Sequence, residues 1–404
     1  MRVVWVSPHH PDPAGGGGSA HEFQLLRHVS RRHDIHLITS YTGRDTADSS
    51  LPKLGVDVQV VPSVVYPHPR SKVAVGRAML RARPTLLLWL QRERWKDLSR
   101  AVAAAQESLR PDLVHVSLGE LAPVLGAARG PSSLLLFDSY TRHVERRLAV
   151  EPLARRRWQL RMERHRAAAW ERRQYTKAHA IASVSSVDAA RFRELLGRNV
   201  TILENPIAAE YYQVPAVARR AGTVLFVGSL AYPPNTDAIE WLVHDIWPHV
   251  QRQRSDARLV IVGRGDGDTV TVPRVRELVE SAGGTFAVDV PDVRPYYWEA
   301  SVVVAPLRLG AGLRNKVIHA MACGAPVVAT PAALEGIRVA AGEHALVAST
   351  AEGLAGAIVQ TLSERAHATR RAAAAATVMQ RYRADLMGDR FEGWWASALT
   401  NSRQ

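Results

Sequence analysis

Three cations lie among glycines in the stretch RLGAGLRNKVIHAMACG, residues 308–324. Arg308 precedes the first glycines, and Arg314 and Lys316 fall where an Ala-rich helical pattern begins. The helix macrodipole disfavours cations at a helix N-terminus, so this placement makes sense chiefly if an anion binds among them. Backbone N–H groups and the three side chains would then all donate to that anion. A diphosphate is the natural candidate, and salt bridges to neighbouring acidic residues are the alternative.

A second glycine-rich stretch comes near the start of the chain. Gly15, Gly16, Gly17 and Gly18 follow the β-branched run RVVWVS and precede the amphipathic stretch SAHEFQLLRHVSRR. Consecutive glycines between a strand and a helix let backbone N–H groups approach a ligand closely. We expect a phosphate or a sugar there, and a loop without a ligand is the alternative.

Neither glycine stretch has the spacing of a dinucleotide site. That fingerprint is G-x-G-x-x-G followed about 20 residues later by an acidic residue. PDPAGGGGSAHEF lacks the spacing, and in VIVGRGDGDTV the third glycine comes one residue too early. The single cysteine, Cys323, has no Cys or His partners at ligand spacing, and no Asp-x-Asp follows a strand. We therefore expect no cofactor, no metal ion and a buried Cys323.

Alternating strand and helix patterns position these loops, as in a parallel, doubly wound sheet. Continuous apolar runs are typical of strands buried on both faces. In the first half the candidate strands are RVVWVS, DIHLITS, DLVHVSL, SLLLFDS, HAIASVSS and VTILEN; in the second they are TVLFVGS, ARLVIVG, TFAVDV, SVVVAPL, APVVAT and HALVAS. The pattern predicts an α/β protein with two Rossmann-like doubly wound domains.

The 404 residues suffice for two such domains, and residues 204–222, with two prolines and no strand, predict the linker. We place the domains at 1–205 and 206–381, with a terminal helix over 382–404 that packs back on the first. Between 141 and 177 the pattern indicates one long Arg-rich helix or two. Trp394 and Trp395 in the terminal helix need a surface to pack on.

The formal net charge of +14 is concentrated in the first half of the chain. Residues 1–200 carry 32 Lys and Arg against 18 Asp and Glu, whereas the rest carry 20 against 20. This distribution suits an anionic partner, namely a phosphorylated acceptor, a lipid surface or nucleic acid, and a solvated Arg-rich face is the alternative. Few aromatics interleave the cations, so no nucleic acid is expected.

No apolar run approaches the roughly 20 residues of a membrane span, and the first residues do not form a signal peptide, so we expect a cytoplasmic protein.

In their order along nearly the whole chain, these segments resemble a GT-B glycosyltransferase of family 4, the glycosyltransferase group 1 type. The segments that carry the resemblance are GGGGSAHEF, PDLVHVSL, IASVSSVDAARF, ILENPI, VLFVGSLAYPPNTDAIEWL, LVIVGRG and the block VPDVRPYYWEASVVVAPLRLGAGLRNKVIHAMACGAPVVATPAALEGI. The resemblance implies an acceptor-binding first domain, a donor-binding second domain, a cleft between them and a final crossover helix that buries Trp394 and Trp395.

The resemblance also implies transfer from a nucleoside diphosphate sugar, UDP- or GDP-linked, with retained configuration and without metal. Arg308, Arg314 and Lys316 would stabilise the leaving diphosphate, and His143 would lie near the reaction centre. His115 and Glu145 would belong to the acceptor side, although a lone histidine on a strand is more often a core residue. The expected donor-binding residues are Gly15, Gly16, Gly17, Gly18, Gly228, Val290 beside the base, Gly310, Gly312, Leu313, Asn315, His319 and Glu335.

The chain departs from the family at several positions. Where the family often has two glutamates with seven residues between them, this sequence has Ala311 and His319. A neutral His319 could hydrogen-bond a ribose hydroxyl, and Glu335 could contact the sugar in place of Ala311. Ser229 and Asn235 stand in the segment where the family usually has a basic pair. The cations of 308–316 would therefore have to neutralise more of the diphosphate charge.

Other functions remain open at this stage. An epimerase or hydrolase of the same architecture would need paired carboxylates near the donor loop, and none is found there. The sequence names neither the sugar nor the base. The acceptor could be lipid-linked, a polysaccharide or a small natural product, and an anionic membrane surface on the cytoplasmic side is a further expected partner.

Overall fold

The computed structural model describes residues 1–13, 15, 17–41, 50–62, 92–230, 232–265, 267–309 and 313–402. The chain divides into two compact units. One consists of Met1–Pro206 with Ala384–Gln404, and the other is Ile207–Arg383. We call them the first and the second domain. Their boundaries lie within two residues of those we predicted, at 205 and 381.

The first domain is built on a seven-stranded parallel sheet in the order β3-β2-β1-β4-β5-β6-β7. All six strands predicted for this half form. Its strands are β1 Arg2–Ser7, β2 Asp34–Tyr41, β3 Asp57–Pro62, β4 Leu113–Ser117, β5 Ser132–Leu136, β6 Ala180–Ser183 and β7 Thr201–Ile202. The edge strand β3 was not predicted because its sequence, DVQVVP, places polar residues on an exposed strand instead of forming a continuous apolar run.

Helices connect the strands of this sheet. Their bounds are α1 Gly17–Val29, α2 Arg92–Leu109, α3 Tyr140–Val150, α4 Ala154–Tyr175 and α5 Ser186–Leu196, with 3₁₀ segments at Pro52–Leu54 and Gly119–Ala127. The Arg-rich stretch thus forms two helices. Pro152, in the short link between α3 and α4, explains the break, because a proline disfavours helical backbone at the residue before it.

The second domain has a six-stranded parallel sheet in the order β10-β9-β8-β11-β12-β13. All six predicted strands form here too. They are β8 Thr223–Val227, β9 Arg258–Gly263, β10 Thr285–Val288, β11 Val302–Ala305, β12 Val327–Ala329 and β13 Leu346–Val347. The central strands β8, β11 and β12 are almost entirely buried, as their apolar runs predict.

The helices of the second domain cover this sheet and bury Cys323 in its core, as predicted. Their bounds are α6 Pro233–Trp241, α7 Trp247–Gln253, α8 Thr271–Ser281, α9 Arg294–Glu299, α10 Asn315–Ala322, α11 Pro331–Leu334, α12 Ala351–Ser363 and α13 Arg365–Met379. A π-helical turn, Leu242–Ile246, joins α6 to α7, and 3₁₀ segments lie at Ala209–Tyr212 and Gln380–Tyr382.

The terminal helix α14, Ala384–Asn401, packs on the first domain. Trp394 and Trp395 are buried there, as the resemblance implied. Trp395 meets Trp5 of β1 edge to face, with 5.7 Å between the ring centroids, and Phe391 lies 5.5 Å from the same Trp5 ring. Within the described part of the chain, no helix has the length and apolar character to cross a membrane.

Candidate active site

The second sheet reverses its strand order at β8. From β8 the chain adds β9 and β10 on one side and then returns to place β11 on the other. Parallel sheets bind ligands in the crevice beyond the carboxyl ends of the two strands that flank such a switch point. The loop after β8 and the loop after β11, which carries the predicted cations, therefore lie side by side at this crevice.

Gly228 directly follows β8 at the crevice, and the ends of two side chains fill the space beside it. A Cβ atom at Gly228 would lie 2.7 Å from Lys316 Nζ and 2.7 Å from Asn235 Nδ2. The neighbouring strand is equally close, because a Cβ on Gly263 would lie only 1.7 Å from the Gly228 carbonyl oxygen. Glycine is thus required at position 263, where backbone obstructs a Cβ, whereas a side chain at position 228 would displace the ends of Lys316 and Asn235.

Lys316 reaches across from α10 to the β8 side. Its Nζ donates a 2.6 Å hydrogen bond to Asn235 Oδ1 on α6 and lies 4.1 Å from the centre of the Phe226 ring. Burial, followed by the charge of Arg314, lowers the pKa of Lys316 to about 7. In the described part of the chain, no carboxylate forms an ion pair with this ammonium. An anion bound here would stabilise the charged form.

Arg314 is the second cation that the structure places at this point. It immediately precedes α10 and is 9% exposed. Its charge acts on Lys316 and helps to lower the pKa of that side chain. The next residue, Asn315, opens the helix, and Leu313 packs into the core of the domain. The start of α10 therefore combines two side-chain cations with the backbone donors of a helix N-terminus, which together suit a diphosphate.

Arg308, the third predicted cation, is held differently. Its guanidinium donates two hydrogen bonds to the carboxylate of Asp237 on α6, at 2.6 and 3.1 Å, and lies 4.8 Å from the centre of the Trp241 ring. The hydrogen bonds from Arg308 to Asp237 raise the pKa of the arginine. The alternative considered for the cluster, an ion pair with a neighbouring acidic residue, is what the structure shows at Arg308.

His319 lies on α10, one turn after Lys316. Its ring stacks on Tyr211, with 4.1 Å between centroids and 28° between planes. Burial lowers the pKa of His319 to about 4, so the imidazole is neutral at physiological pH. Neither ring nitrogen forms a hydrogen bond to another residue that the structure describes. A neutral imidazole in this state can donate to or accept from a ligand hydroxyl.

Val290 follows β10, on the β9 side of the crevice. The residue before it, Asp289, has φ 53° and connects two loops. Its N–H donates to the Gly263 carbonyl at 2.8 Å, and its Oδ1 accepts from the Gly265 N–H at 2.9 Å. These bonds fix the backbone around Val290 at the carboxyl edge of the sheet, where we predicted contact with a base.

Of the remaining residues predicted to bind the donor, the structure describes Glu335 but not the stretch 310–312. Glu335 is half-buried and immediately follows α11, beyond the carboxyl end of β12. Gly310, Ala311 and Gly312 lie outside the described residues. The contact of Glu335 with the sugar, in place of the family's glutamate at position 311, therefore stays a prediction.

The first sheet has its own switch point, between β1 and β4. A buried carboxylate, Glu22 of α1, lies there and accepts hydrogen bonds from Ser7 Oγ at 2.8 Å and Trp5 Nε1 at 3.2 Å. Its Oε2 is 3.2 Å from His9 Nε2. Burial opposes ionisation of Glu22, but the hydrogen bonds from His9, Ser117 and Ser7 hold its pKa below the ordinary value. Glu22 thus holds the side chains of Trp5, Ser7 and His9 in place around the end of β1.

Two of the predicted glycines, Gly17 and Gly18, open α1 beside this carboxylate, whereas Gly16 lies outside the described residues. A Cβ on Gly18 would contact the His9 ring at 3.7 Å. Gly15 is packed more tightly, because a Cβ there would lie 2.4 Å from Ser19 Oγ. The glycine run is therefore close to neighbouring groups on both sides, and its role in donor binding stays a prediction.

The three acceptor-side residues lie in different surroundings. His115 is fully buried in β4, where Nδ1 is 2.9 Å from Ser133 Oγ and Nε2 is 3.2 Å from Ser117 Oγ. It is a core histidine, which corrects its prediction as an acceptor-side residue. His143 is exposed in the first turn of α3, after β5. Glu145 on the same helix accepts a hydrogen bond from Arg191 at 3.3 Å.

Several residues of the two crevices were not predicted. Glu22 stands in the quoted segment GGGGSAHEF, and Asn235 and Asp237 stand in PPNTDAIEW. One sequence feature could have identified them. Each is a polar residue in the first turns of a helix that directly follows a buried strand, and such a position faces the carboxyl edge of the sheet.

Comparison with known proteins agrees with this geometry. Residues 221–364, within the second domain, match the family model described as Glycosyl transferases group 1. No curated protein sequence matches the chain. The predicted resemblance to group 1 glycosyltransferases is thereby confirmed for this segment.

Solved structures share the fold over nearly the whole chain. A glycosyltransferase from Rickettsia africae ESF-5 superposes with a TM-score of 0.69 at 12% identity, covering 99% of each chain. Sucrose-phosphate synthase from Thermosynechococcus elongatus gives 0.72 at 18% identity, covering 98% of each chain. HepE from Anabaena in complex with UDP gives 0.66 at 15% identity, covering 98% of this chain and 100% of that one. The predicted GT-B fold is confirmed, and the family match with this fold indicates a glycosyltransferase.

Proposed function

We propose that the chain transfers a sugar from a nucleoside diphosphate sugar to an acceptor hydroxyl, with retention of configuration and without a metal ion. The observation that carries this proposal is the position of Lys316. Its ammonium lies at the switch point of the second sheet, 2.6 Å from a neutral amide oxygen, beside Arg314 and Gly228. A diphosphate would supply the counterion that Lys316 lacks among the described carboxylates.

The donor is a UDP- or GDP-linked sugar, and the related structures favour UDP. HepE from Anabaena was solved with UDP-glucose, and the trehalose-6-phosphate protein from E. coli with UDP-2-fluoro glucose. In this chain the base would contact the backbone around Val290, and the ribose would contact His319. The diphosphate would lie between Gly228 and the start of α10.

Catalysis follows from stabilisation of the leaving group. As the bond between the anomeric carbon and the diphosphate breaks, negative charge develops on the phosphate oxygen beside Lys316 and Arg314, which stabilise it. The acceptor oxygen forms its bond on the same face of the sugar and gives its proton to the departing phosphate. No side-chain base is then required, and positioning of the two substrates supplies much of the rate. His143 is our candidate for a contact near the reaction centre, with Glu145 on the acceptor side of the same helix.

Metal independence is part of the proposal. Among the described residues, the structure groups three His, Cys, Asp or Glu side chains at ligand distance only in the first domain, at His28, Asp389 and Glu392. The switch point of the second sheet instead carries Lys316 and Arg314. Cations there can neutralise a diphosphate as a divalent ion does in other enzymes.

The acceptor is proposed to bind to the basic first domain. Helix α4 carries many arginines and exposes Trp158 and Met162, at 61% and 41%. Cations beside exposed apolar side chains suit an anionic membrane surface on the cytoplasmic side or a lipid-linked phosphate, whereas an Arg-rich surface with a small polar acceptor is the alternative. Residues 70–100, which also mix cations with Leu and Trp, are a further candidate for this surface, but they lie largely outside the described residues.

Cosedimentation with vesicles tests this placement. We expect the protein to pellet with anionic vesicles at low salt and to be released at high salt, because screening weakens interactions between exposed charges. If the protein does not pellet with anionic vesicles at low salt, it does not bind the membrane surface as proposed. If it pellets equally with neutral vesicles, the binding is not electrostatic.

The function itself is tested with a panel of nucleotide sugars. Slow release of UDP or GDP from one donor, lost in Lys316→Met and Arg314→Ala, is the expected result. Arg274→Gln is the matched control, since Arg274 is an exposed cation of the same domain, paired with Glu240 at 2.8 Å. A donor converted to its isomer without nucleotide release would indicate an epimerase. Binding to DNA with no donor consumed would indicate a nucleic-acid-binding protein.

A further inference from the structure

A cluster of histidine and carboxylate side chains joins α1 to the terminal helix within the first domain. His28 lies near the end of α1, and Asp389 and Glu392 lie three residues apart on α14, which places both carboxylates on one face of that helix. One nitrogen or oxygen atom from each of these three residues lies within 4.8 Å of the other two. The proposed reaction uses none of them.

The distances in this cluster suit a transition-metal ion. His28 Nε2 is 3.2 Å from Asp389 Oδ1 and 3.8 Å from Glu392 Oε1. Ligands at the usual zinc distances of about 2.0–2.2 Å and in tetrahedral geometry are about 3.3–3.5 Å apart. The three atoms can therefore share one zinc ion after small rotamer adjustments, and a water molecule can take the fourth position.

The hydrogen bonding of Glu392 leaves one of its oxygens available. Oε2 accepts a 2.9 Å hydrogen bond from Arg32, whereas Oε1 is buried and has no hydrogen-bond partner among the described residues. Two imidazole nitrogens lie near Oε1, His33 Nε2 at 3.6 Å and His28 Nε2 at 3.8 Å. A buried carboxylate oxygen without a donor is unfavourable, and a metal ion would satisfy it.

The packing of the two helices brings the His28 ring to this position. A Cβ on Gly388 of α14 would lie 2.2 Å from His28 Cγ, so only a glycine lets the imidazole lie against the helix backbone. The ring is 10% exposed and held between the helices, with Nε2 directed to the two carboxylates. Its position is thus set by packing before any ion binds, which lowers the entropic cost of binding.

We infer that His28, Asp389 and Glu392 bind a divalent transition-metal ion, of which Zn²⁺ is the probe, and that this ion fastens the terminal helix to α1. An imidazole combined with carboxylates favours zinc over magnesium, which prefers oxygen ligands and keeps several of its waters. Arg32 lies 3.4 Å from Asp389 Oδ1 and 2.9 Å from Glu392 Oε2, and its charge opposes the ion. The site lies in the first domain, and its existence does not depend on the proposed transfer reaction.

The test is a titration of the metal-free 404-residue protein with Zn²⁺, monitored by calorimetry and by thermal unfolding. We expect one zinc ion per chain and a melting temperature raised by about 4 °C when free zinc is tenfold above Kd. Mg²⁺ at the same concentration should leave it unchanged. Asp389→Asn and His28→Gln should remove both responses, and circular dichroism of the metal-free variants shows whether they fold.

Two further variants separate a metal site from a set of ion pairs. Arg32→Gln lowers the melting temperature of the metal-free protein but should raise zinc affinity about tenfold, because a cation near the ion is removed. His36→Gln is the matched control, since His36 Nδ1 meets Asp57 at 2.5 Å elsewhere in the first domain. Wild-type zinc binding in folded His28→Gln and Asp389→Asn, or unchanged affinity in Arg32→Gln, would overturn the inference.

Discussion

Lys316 gives the sharpest test of the proposed donor site, through the pH dependence of turnover. In the free protein, burial and Arg314 lower the pKa of this lysine from 10.5 to about 7. A shift of that size disfavours the ammonium by up to about 5 kcal/mol, which a bound diphosphate would recover by supplying the opposite charge. The donor should therefore bind chiefly to the protonated form.

The sign of the effect follows directly. The pKa of Lys316 in the folded protein lies below its unfolded value, so its charged form is present below about pH 7 and is lost as pH rises through that value. At pH 8 about one tenth of the free protein carries the charge, so kcat/KM for the donor should fall about tenfold per pH unit above 7. The turnover number kcat should fall less, because the bound diphosphate raises the pKa of the lysine.

The matching substitution is Lys316→Met, which keeps the apolar stem over Phe226 and removes the charge. We expect turnover to fall by about 10²-fold or more, the cost of losing one group that stabilises developing charge. Arg308→Ala should lose less, because Asp237 already neutralises Arg308. The assay is nucleotide release between pH 6 and 9, with folding checked by thermal unfolding. A flat profile in the wild type, or near-normal turnover in folded Lys316→Met, would refute the assignment of the diphosphate to this site.

Three other predictions concern metal, donor affinity and stability. In excess EDTA we expect full turnover at 25 °C even where the melting temperature falls, and activity that is lost and then restored by magnesium or manganese would contradict this. His319→Glu restores the family's residue and should change donor affinity by no more than about tenfold, the scale of one hydrogen bond, as calorimetry with the donor can show; an inactive, folded variant would reveal another role for His319. Burial raises the pKa of Glu171 from 4.5 to about 7, so its contribution to stability is present below about pH 4.5 and is lost as pH rises through about 7. Glu171→Gln should remove up to about 3 kcal/mol of this pH dependence in denaturant unfolding, and an unchanged slope would show that the carboxylate ionises in the fold without cost.

Much of the fold could be predicted because local sequence controls it. Strands buried on both faces need continuous apolar runs, and each such run in the second half became a strand of the second sheet. The alternation with helical patterns favoured parallel order, and the late Trp394 and Trp395 required a surface to cover them. The edge strand β3 was not predicted because an exposed strand needs no apolar run, so its residues carry little signal of a strand.

The chemistry of individual side chains depended on partners distant in the sequence. The stretch 308–316 showed three cations near one helix start, but only the folded chain brings Asp237 to Arg308 and Asn235 to Lys316. Which cation is neutralised and which is left to an anion is decided by α6, whose partner residues lie 71 and 81 positions earlier in the chain. In the same way, burial turned His115 into a core residue and made Glu22 the centre of a hydrogen-bond network. The sequence by itself determined which elements form and which charges they carry, whereas burial and pairing, which depend on the tertiary arrangement, decided what each charge can do.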